Sequence, residues 1–292
     1  MPSLADHHSN TYVKLLLLGD AKSGKTTSLA SLVAAGYKLR ILDLDNLLDV
    51  LKYRILETCP GRISTVEYRA LRDAYKASAA GTVLDGKPRA WIESIKMLNE
   101  WKYTDPDTGE VIDLGPPATW GPDCILVIDS LSRWCDAAFD FHEVMAPKGR
   151  SGEADGRMVY GNAQDDIEKQ LANLTSPSFT CNVIVIAHGV YQANPDGTTM
   201  IFPQGVGQKL SPKIPQYFPN YIRYINKSGK RTIQLQSDSM IHLANTRPSA
   251  MPKELSTDTG LAEFFAVLRD SPAKDGGSNP TPKPKSLTLR RA

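Results

Sequence analysis

The sequence predicts an α/β fold in which a mainly parallel sheet is flanked by helices. Short apolar runs alternate with longer segments that carry helical patterning. Four runs are apolar on both faces, as is typical of strands buried in a parallel sheet: Val13–Leu18, Leu39–Leu42, Ile125–Ile128 and Val183–Ala187. Two later strands, Tyr221–Ile225 and Thr232–Leu235, flank an Asn-Lys-Ser-Gly-Lys turn and predict a C-terminal β-hairpin.

Composition divides the 292 residues into one core domain and two tails. The core is predicted over residues 11–270, after a disordered N-terminus at 1–10 and before a disordered basic tail at 271–292. The tail carries five basic residues and one acid, so the rest of the chain is slightly acidic although the net charge is +2. Any nucleic-acid binding by the core must therefore depend on a limited part of its surface and not on its overall charge.

A long insertion separates the second and third buried strands, over residues 46–120. Its patterning predicts three helices, at Asn46–Glu57, Thr65–Ala79 and Arg89–Trp101. We therefore expect this insertion to form a helical cap on the core.

The cysteines and the hydropathy exclude several classes of protein. Four cysteines lie far apart without CxxC spacing, which excludes a disulfide scaffold and a zinc finger and favours a reducing compartment. No apolar run approaches the roughly 18 residues of a membrane span, and residues 1–10 lack a signal-peptide pattern. We expect a cytoplasmic protein without a membrane partner.

A phosphate-binding loop follows the first buried strand. The pattern GxxxxGK(S/T) is matched in full by Gly19, Asp20, Ala21, Lys22, Ser23, Gly24, Lys25 and Thr26, and Thr27 continues into a helical segment. The glycines let backbone N–H groups surround phosphates at a helix N-terminus. Lys25 would contact the β- and γ-phosphates, and Thr26 would hold Mg²⁺. The sequence therefore predicts ATP and Mg²⁺ as cofactors bound by residues 19–27.

Three other strand ends carry candidate catalytic side chains. Asp129 follows the third buried strand and would bind Mg²⁺ beside Thr26, although an acid there can instead cap the next helix. Asp45 follows the second strand and is the first candidate for the carboxylate that activates the attacking water, with Asp43 in reserve. Its alternative role is also a helix cap. His188 follows the fourth strand and would sense the γ-phosphate, or else form an ordinary loop hydrogen bond.

In chain order, the motifs GDAKSGKT, ILDLD, CILVIDS and VIVIAHG resemble those of the RecA-like core ATPases. The likeness is greatest to the small phage-encoded members that act in recombination and single-strand annealing. It runs over about Thr11–Leu268 and covers the 46–120 insertion poorly. One departure is that the catalytic carboxylate of this class is usually Glu, and Asp45 is one methylene shorter. The departure implies slow hydrolysis or a different base.

The resemblance implies DNA-binding loops after the third and fourth buried strands. These are residues 146–157 and 189–213, and the second also offers Tyr191 and Phe202 for stacking on bases. The composition also suits ordinary solvated loops. The basic candidates for DNA contact are Lys148, Arg150, Arg157, Lys209 and Lys213.

The resemblance also implies that a cation from a neighbouring subunit completes the active site. Arg247 is the first candidate, and Lys230 or Arg231 at the hairpin are alternatives. The active form would then be a homo-oligomer, either a ring or a filament.

These expectations favour an ATP-dependent, single-stranded-DNA-binding ATPase of recombination or strand annealing. The basic tail would add DNA affinity or recruit a single-strand-binding protein, and a phage-encoded member would act in the host cytoplasm. Two alternatives share the phosphate loop: a motor or loader ATPase of helicase or packaging machinery, and a small-molecule kinase.

Overall fold

The structure of the protein is a computed structural model that describes residues 11–79, 81–105, 108–149, 154–193 and 196–269. The predicted N-terminal and C-terminal tails lie outside these residues, as does Arg150. In chain order, the helices and strands are β1 (Lys14–Gly19), α1 (Lys25–Ala34), β2 (Lys38–Asp43), α2 (Asp49–Thr58), β3 (Val66–Ala70), β4 (Tyr75–Ser78), β5 (Gly81–Leu84), α3 (Ala90–Asn99), β6 (Lys102–Thr104), β7 (Val111–Asp113), β8 (Gly121–Asp129), α4 (Leu131–Met145), α5 (Gly156–Thr175), β9 (Cys181–Ala187), β10 (Gly189–Ala193), β11 (Thr199–Pro203), α6 (Gly207–Leu210), β12 (Asn220–Lys227), β13 (Lys230–Gln234), β14 (Glu254–Ser256) and α7 (Gly260–Arg269).

Eight strands form the central sheet, in the order β14-β13-β12-β1-β9-β8-β2-β3. The pairs from β12 to β3 are parallel, whereas β13 and β14 add antiparallel strands at one edge. The predicted fold class, a mainly parallel sheet flanked by helices with a C-terminal hairpin, is confirmed. Because the parallel strands share one direction, their carboxyl ends meet at one edge of the sheet.

Two apolar layers cover the faces of this sheet. Side chains alternate along β1, so that Leu16 and Leu18 face α3, α4 and α5, whereas Leu15 and Leu17 face α1, α2 and α7. All four leucines are fully buried. This two-sided burial explains why the strand reads as a continuous apolar run. Among the helices in the described ranges, none has the length and apolar character needed to cross a membrane.

The 46–120 insertion differs from the helical cap that the patterning predicts. Two of the three predicted helices form within a few residues of their expected bounds, as α2 and α3. The predicted helix over 65–79 is wrong, because its first residues form β3 and later ones form β4. The segment Val66-Glu-Tyr68-Arg-Ala70 hydrogen-bonds in parallel to β2 at the sheet edge, and β-branched and aromatic residues suit that position. Two small hairpins, β4–β5 and β6–β7, complete the insertion.

Candidate functional site

The phosphate loop joins β1 to α1 through backbone conformations that need glycine. Gly24 has φ of 99°, a left-handed value that glycine adopts without strain. At Gly19 a Cβ would lie 2.7 Å from the carbonyl oxygen of Tyr224, so only glycine allows the loop to approach β12 this closely. The loop therefore folds tightly over the carboxyl end of β1, directly before the first turn of α1.

Lys25 is the first residue of α1, and its ammonium group lies within the loop. Its Nζ donates hydrogen bonds to the carbonyl oxygens of Gly19 at 2.7 Å and Asp20 at 2.9 Å. Burial lowers the pKa of Lys25 to about 8, although the nearby carboxylates, that of Asp129 above all, oppose the shift. The loop thus holds a largely desolvated cation at the point where an anion would bind.

Thr26 and Asp129 connect the loop to the end of β8. The Thr26 hydroxyl donates to Oδ2 of Asp129 at 2.7 Å. Burial raises the pKa of Asp129 to about 6, the carboxylates of Asp45 and Asp43 add to the shift, and the Thr26 hydrogen bond opposes it. A hydroxyl beside a buried carboxylate is the oxygen donor pair expected for Mg²⁺.

Asp45 lies beside this pair and is held by three side chains. Its carboxylate accepts a hydrogen bond from the Ser130 hydroxyl at 3.0 Å, contacts His188 Nε2 at 3.3 Å and forms an ion pair with Arg133 Nε at 3.8 Å. Burial alone would raise the pKa of Asp45. The hydrogen bonds from His188 and Ser130, with the charges of His188 and Arg133, outweigh burial and hold that pKa below its usual value.

Asp43, the reserve candidate, has a different environment. Its carboxylate accepts the backbone N–H of Asn46 at 2.7 Å and is almost fully buried. Asp43, and not Asp45, therefore caps the turn that leads from β2 towards α2. Of the two candidates, Asp45 is therefore the one whose carboxylate contacts polar side chains, and its catalytic role stays a prediction.

His188 links the end of β9 to two neighbouring segments. Its backbone N–H donates to the Ser132 hydroxyl on α4 at 3.1 Å, and its carbonyl accepts the backbone N–H of Gln204 at 2.8 Å. Its ring contacts Asp45. His188 therefore connects Asp45 to the loop that begins after β9, and its role as a sensor stays a prediction.

The assembled residues fit a nucleotide with a divalent cation. Backbone N–H groups at the start of α1, Lys25, Thr26 and Asp129 supply an anion-binding turn, a cation and oxygen ligands. The hydroxyl of Ser23 is buried in the same loop and has no hydrogen-bond partner within the described residues. An unpaired buried hydroxyl at this point is consistent with a loop shaped for a ligand.

The described parts of the two predicted DNA-binding loops lie next to one helix, α5. Lys148 pairs with Ala154 in an isolated bridge just before α5, and Arg157 lies in its first turn. Gln164 on α5 donates to the carbonyl of Val206 at 2.8 Å, which holds the second loop against the helix. Lys148, Arg157 and Lys209 are exposed, whereas Lys213 forms an ion pair with Glu168 at 2.8 Å.

The candidate cations lie at opposite ends of the sheet. Asn220 pairs with Leu15 at the start of β1 and binds the backbone of Thr246, so Arg247 lies at the end remote from the phosphate loop. There, its guanidinium donates to the carbonyl of Val267 at 2.7 Å. Arg231 lies at the loop itself, with its Cδ 3.3 Å from the point that a Cβ on Gly24 would occupy.

Two side chains of the site were not among the predicted residues. Ser130 and Arg133 both contact Asp45. Ser130 caps α4, and Arg133 lies three residues later, in the first turn of that helix. The signal in the sequence was their position directly after the buried strand that ends at Asp129, since the first turn of the following helix lies at the same sheet edge.

Comparisons with known proteins give a family and several distant structures. A family model described as an AAA domain matches residues 11–246. No curated protein matches the sequence. The structure of the RadB recombinase is 15% identical over 83% of this chain and 84% of its own, with a TM-score of 0.39. An ATPase from the type III secretion system of pathogenic bacteria is 10% identical over 88% of this chain and 62% of its own, with a TM-score of 0.40. An ATP synthase subunit, NeqB, from Nanoarcheaum equitans is 11% identical over 88% of this chain and 55% of its own, with a TM-score of 0.41.

Proposed function

The chain belongs to the AAA-domain family, and from this premise we propose that it is an ATP-dependent, single-stranded-DNA-binding ATPase of recombination or strand annealing. The observation that carries the ATPase assignment is the meeting of Lys25, Thr26 and Asp129 with Asp45 at one sheet edge. The annealing role and a phage origin rest on the sequence resemblance.

Each residue of the site has a role in the proposed hydrolysis. ATP supplies the phosphoryl group that is transferred to water, and Mg²⁺ neutralises charge on its phosphates. Lys25 and the N–H groups of residues 19–27 would bind the phosphates, and Thr26 and Asp129 would hold the cation. Asp45, kept ionised by Ser130, His188 and Arg133, would orient the attacking water and accept its proton.

Two contacts support communication between the nucleotide and the DNA loops. His188 joins Asp45 to the segment that follows β9. In that segment, the Tyr191 hydroxyl donates to the carboxylate of Asp20 in the phosphate loop at 3.4 Å. A strand bound along residues 189–213 would therefore act on both sides of the nucleotide site.

An exposed apolar stripe supports the homo-oligomer. The stripe consists of four apolar residues at three-residue spacing, each more than 40% exposed: Leu47, just before α2, and Val50, Tyr53 and Leu56 on the helix. The stripe begins two residues after Asp45. A second copy of the chain seated here would bury apolar surface and approach the active site at the same time. A single-strand-binding protein remains a proposed partner of the basic tail.

The test is ATP hydrolysis measured with and without single-stranded DNA. The Lys25→Ala variant serves as the inactive control. We expect DNA to stimulate turnover, and the purified protein to pair complementary strands. Turnover that DNA does not change, but that rises when a small-molecule phosphoryl acceptor is added, would indicate a kinase. Unwinding of a duplex without pairing activity would indicate a motor. Either result would contradict the proposed function.

A further inference from the structure

A second concave site lies beside the catalytic residues, between α4, α5 and the segment after β3. It is a cavity of about 400 Å³, a size typical of small-molecule sites. Tyr75, Phe139 and Tyr160 give it aromatic walls, and Gly205 and Gly207 form its border on the second predicted DNA loop.

Contacts with neighbouring groups position several of the lining side chains. The rings of Phe139 and Tyr160 have centroids 4.7 Å apart and are tilted by 50°. The Tyr75 hydroxyl donates to the carboxylate of Asp140 on α4. Backbone N–H groups at the start of α3 bind one oxygen of Asp73, and its other oxygen is buried with no hydrogen-bond partner within the described ranges.

The polar lining combines acceptors with donors. Asp73, Asp136 and Asp140 supply carboxylate oxygens, and Arg72 and Arg133 supply guanidinium N–H groups. The three carboxylates make the cavity unfavourable for a phosphate group, and the two guanidinium groups make it unfavourable for a cationic ligand. A nucleobase fits both constraints, because it is flat and uncharged and carries N–H donors and acceptor atoms on its edges.

Arg133 connects the cavity to the catalytic carboxylate. Its Nη1 donates to Asp136, in the cavity lining, at 3.2 Å, and its Nε forms the ion pair with Asp45 at 3.8 Å. A group that donates to the Asp136 carboxylate would compete with the Arg133 guanidinium for it. Occupation of the cavity would therefore change how Arg133 holds Asp45.

We propose that this cavity takes one nucleobase of the single-stranded DNA, against the ring of Tyr160, and that Arg133 is a positioning residue that reports its occupation to Asp45. The inference rests on the proposed function, since it names the part of the DNA that the protein recognises. The phosphates of the same strand would follow the exposed lysine and arginine side chains around α5.

The experiment compares an oligothymidylate with an abasic strand of equal length and charge. We expect the wild-type protein to bind the base-bearing strand about 5- to 100-fold more tightly. Tyr160→Ala should bring the ratio of the two affinities, base-bearing over abasic, towards one. Tyr160→Phe should restore this ratio. Tyr160 is 46% exposed, so truncation leaves the core intact. Tyr68→Ala, which removes a 56% exposed tyrosine outside the cavity lining, should leave the ratio unchanged.

A second readout tests the role of Arg133. At saturating DNA, the base-bearing strand should stimulate ATP hydrolysis more than the abasic strand does, and Arg133→Gln should remove the difference while both strands still bind. Equal wild-type affinity for the two strands, or equal effects of Tyr160→Ala and Tyr68→Ala, would overturn the cavity assignment and leave the DNA-binding ATPase intact. Binding of neither strand would overturn both.

Discussion

Asp129 shows at the residue scale how burial prepares a carboxylate for a cation. Burial raises its pKa to about 6, and the carboxylates of Asp45 and Asp43 add to the shift. Protonation therefore competes with Mg²⁺ for the same oxygens. In the nucleotide-free protein, the raised pKa of Asp129 stabilises the folded state at low pH. This stabilisation is complete when the pH is below 3.8, the usual pKa of an aspartate, and it is lost as the pH rises through about 6.

ATP turnover should consequently fall as the pH drops through about 6 at low Mg²⁺. Asp45 does not account for this fall, because its pKa is held below the usual range. Higher Mg²⁺ should move the midpoint to lower pH, because the cation favours the ionised carboxylate. The measurement is a set of pH profiles at several Mg²⁺ concentrations. A midpoint that does not respond to Mg²⁺ would assign the titration to another group.

Lys25 is the second residue whose burial carries a functional expectation. Lys25→Ala should lower ATP turnover by about 100-fold or more, since it removes the buried ammonium that we propose binds the phosphates. Lys38→Ala is a matched control, because Lys38 is an exposed lysine at the start of β2, far from the carboxyl edge. Comparable turnover in the two variants would contradict the role of the phosphate loop.

At the scale of elements, the N-terminus of α4 combines a helix cap with a contact to Asp45. The Ser130 hydroxyl accepts the backbone N–H of Arg133 at 3.5 Å and donates to Asp45 at 3.0 Å. Ser130→Ala should destabilise the fold by about 1 kcal/mol through the lost cap. It should also slow DNA-independent turnover, because Asp45 loses a hydrogen bond.

Asp155→Ala separates these two effects. Asp155 caps α5 by accepting the backbone N–H of Arg157 at 3.0 Å and does not contact Asp45. A similar loss of stability is expected, with turnover unchanged. Thermal unfolding and turnover are measured on both variants, and an equal slowing of hydrolysis would assign the effect of Ser130 to stability alone.

How much of each element the sequence predicts depends on where its interactions lie. The strands through Leu16, Ile128 and Val185 are predictable, because burial on both faces leaves continuous apolar runs. The segment from Val66 to Ala70 is not, because its pairing partner is the distant edge of β2. Local patterning favoured a helix there, and tertiary pairing decided otherwise.

At the scale of the whole molecule, the site combines contiguous and scattered parts. Residues 19–27 are predictable as a motif, since one turn of chain supplies the whole phosphate loop. The contacts of Asp45 with Ser130 and His188 depend on the sheet order that brings three strand ends together. The approach of Arg231 to Gly24 depends on the hairpin at the far end of the chain.

The position of the two arginines leads to a test of assembly. Arg247 lies at the sheet end remote from its own phosphate loop and binds Val267 there, so a role in hydrolysis would require the nucleotide site of another copy. Arg231 lies against Gly24 of its own chain and is placed to act within one subunit.

We expect Lys25→Ala and Arg247→Ala each to be nearly inactive alone, and a mixture of the two variants to regain turnover. In the mixture, a subunit with an intact Arg247 serves a neighbour with an intact loop. The mixture of Lys25→Ala with Arg231→Ala should stay inactive, because each subunit then lacks part of its own site. Recovery in the second mixture but not the first would make Arg231 the cation that acts between subunits, because complementation requires a residue to serve a site that is not its own.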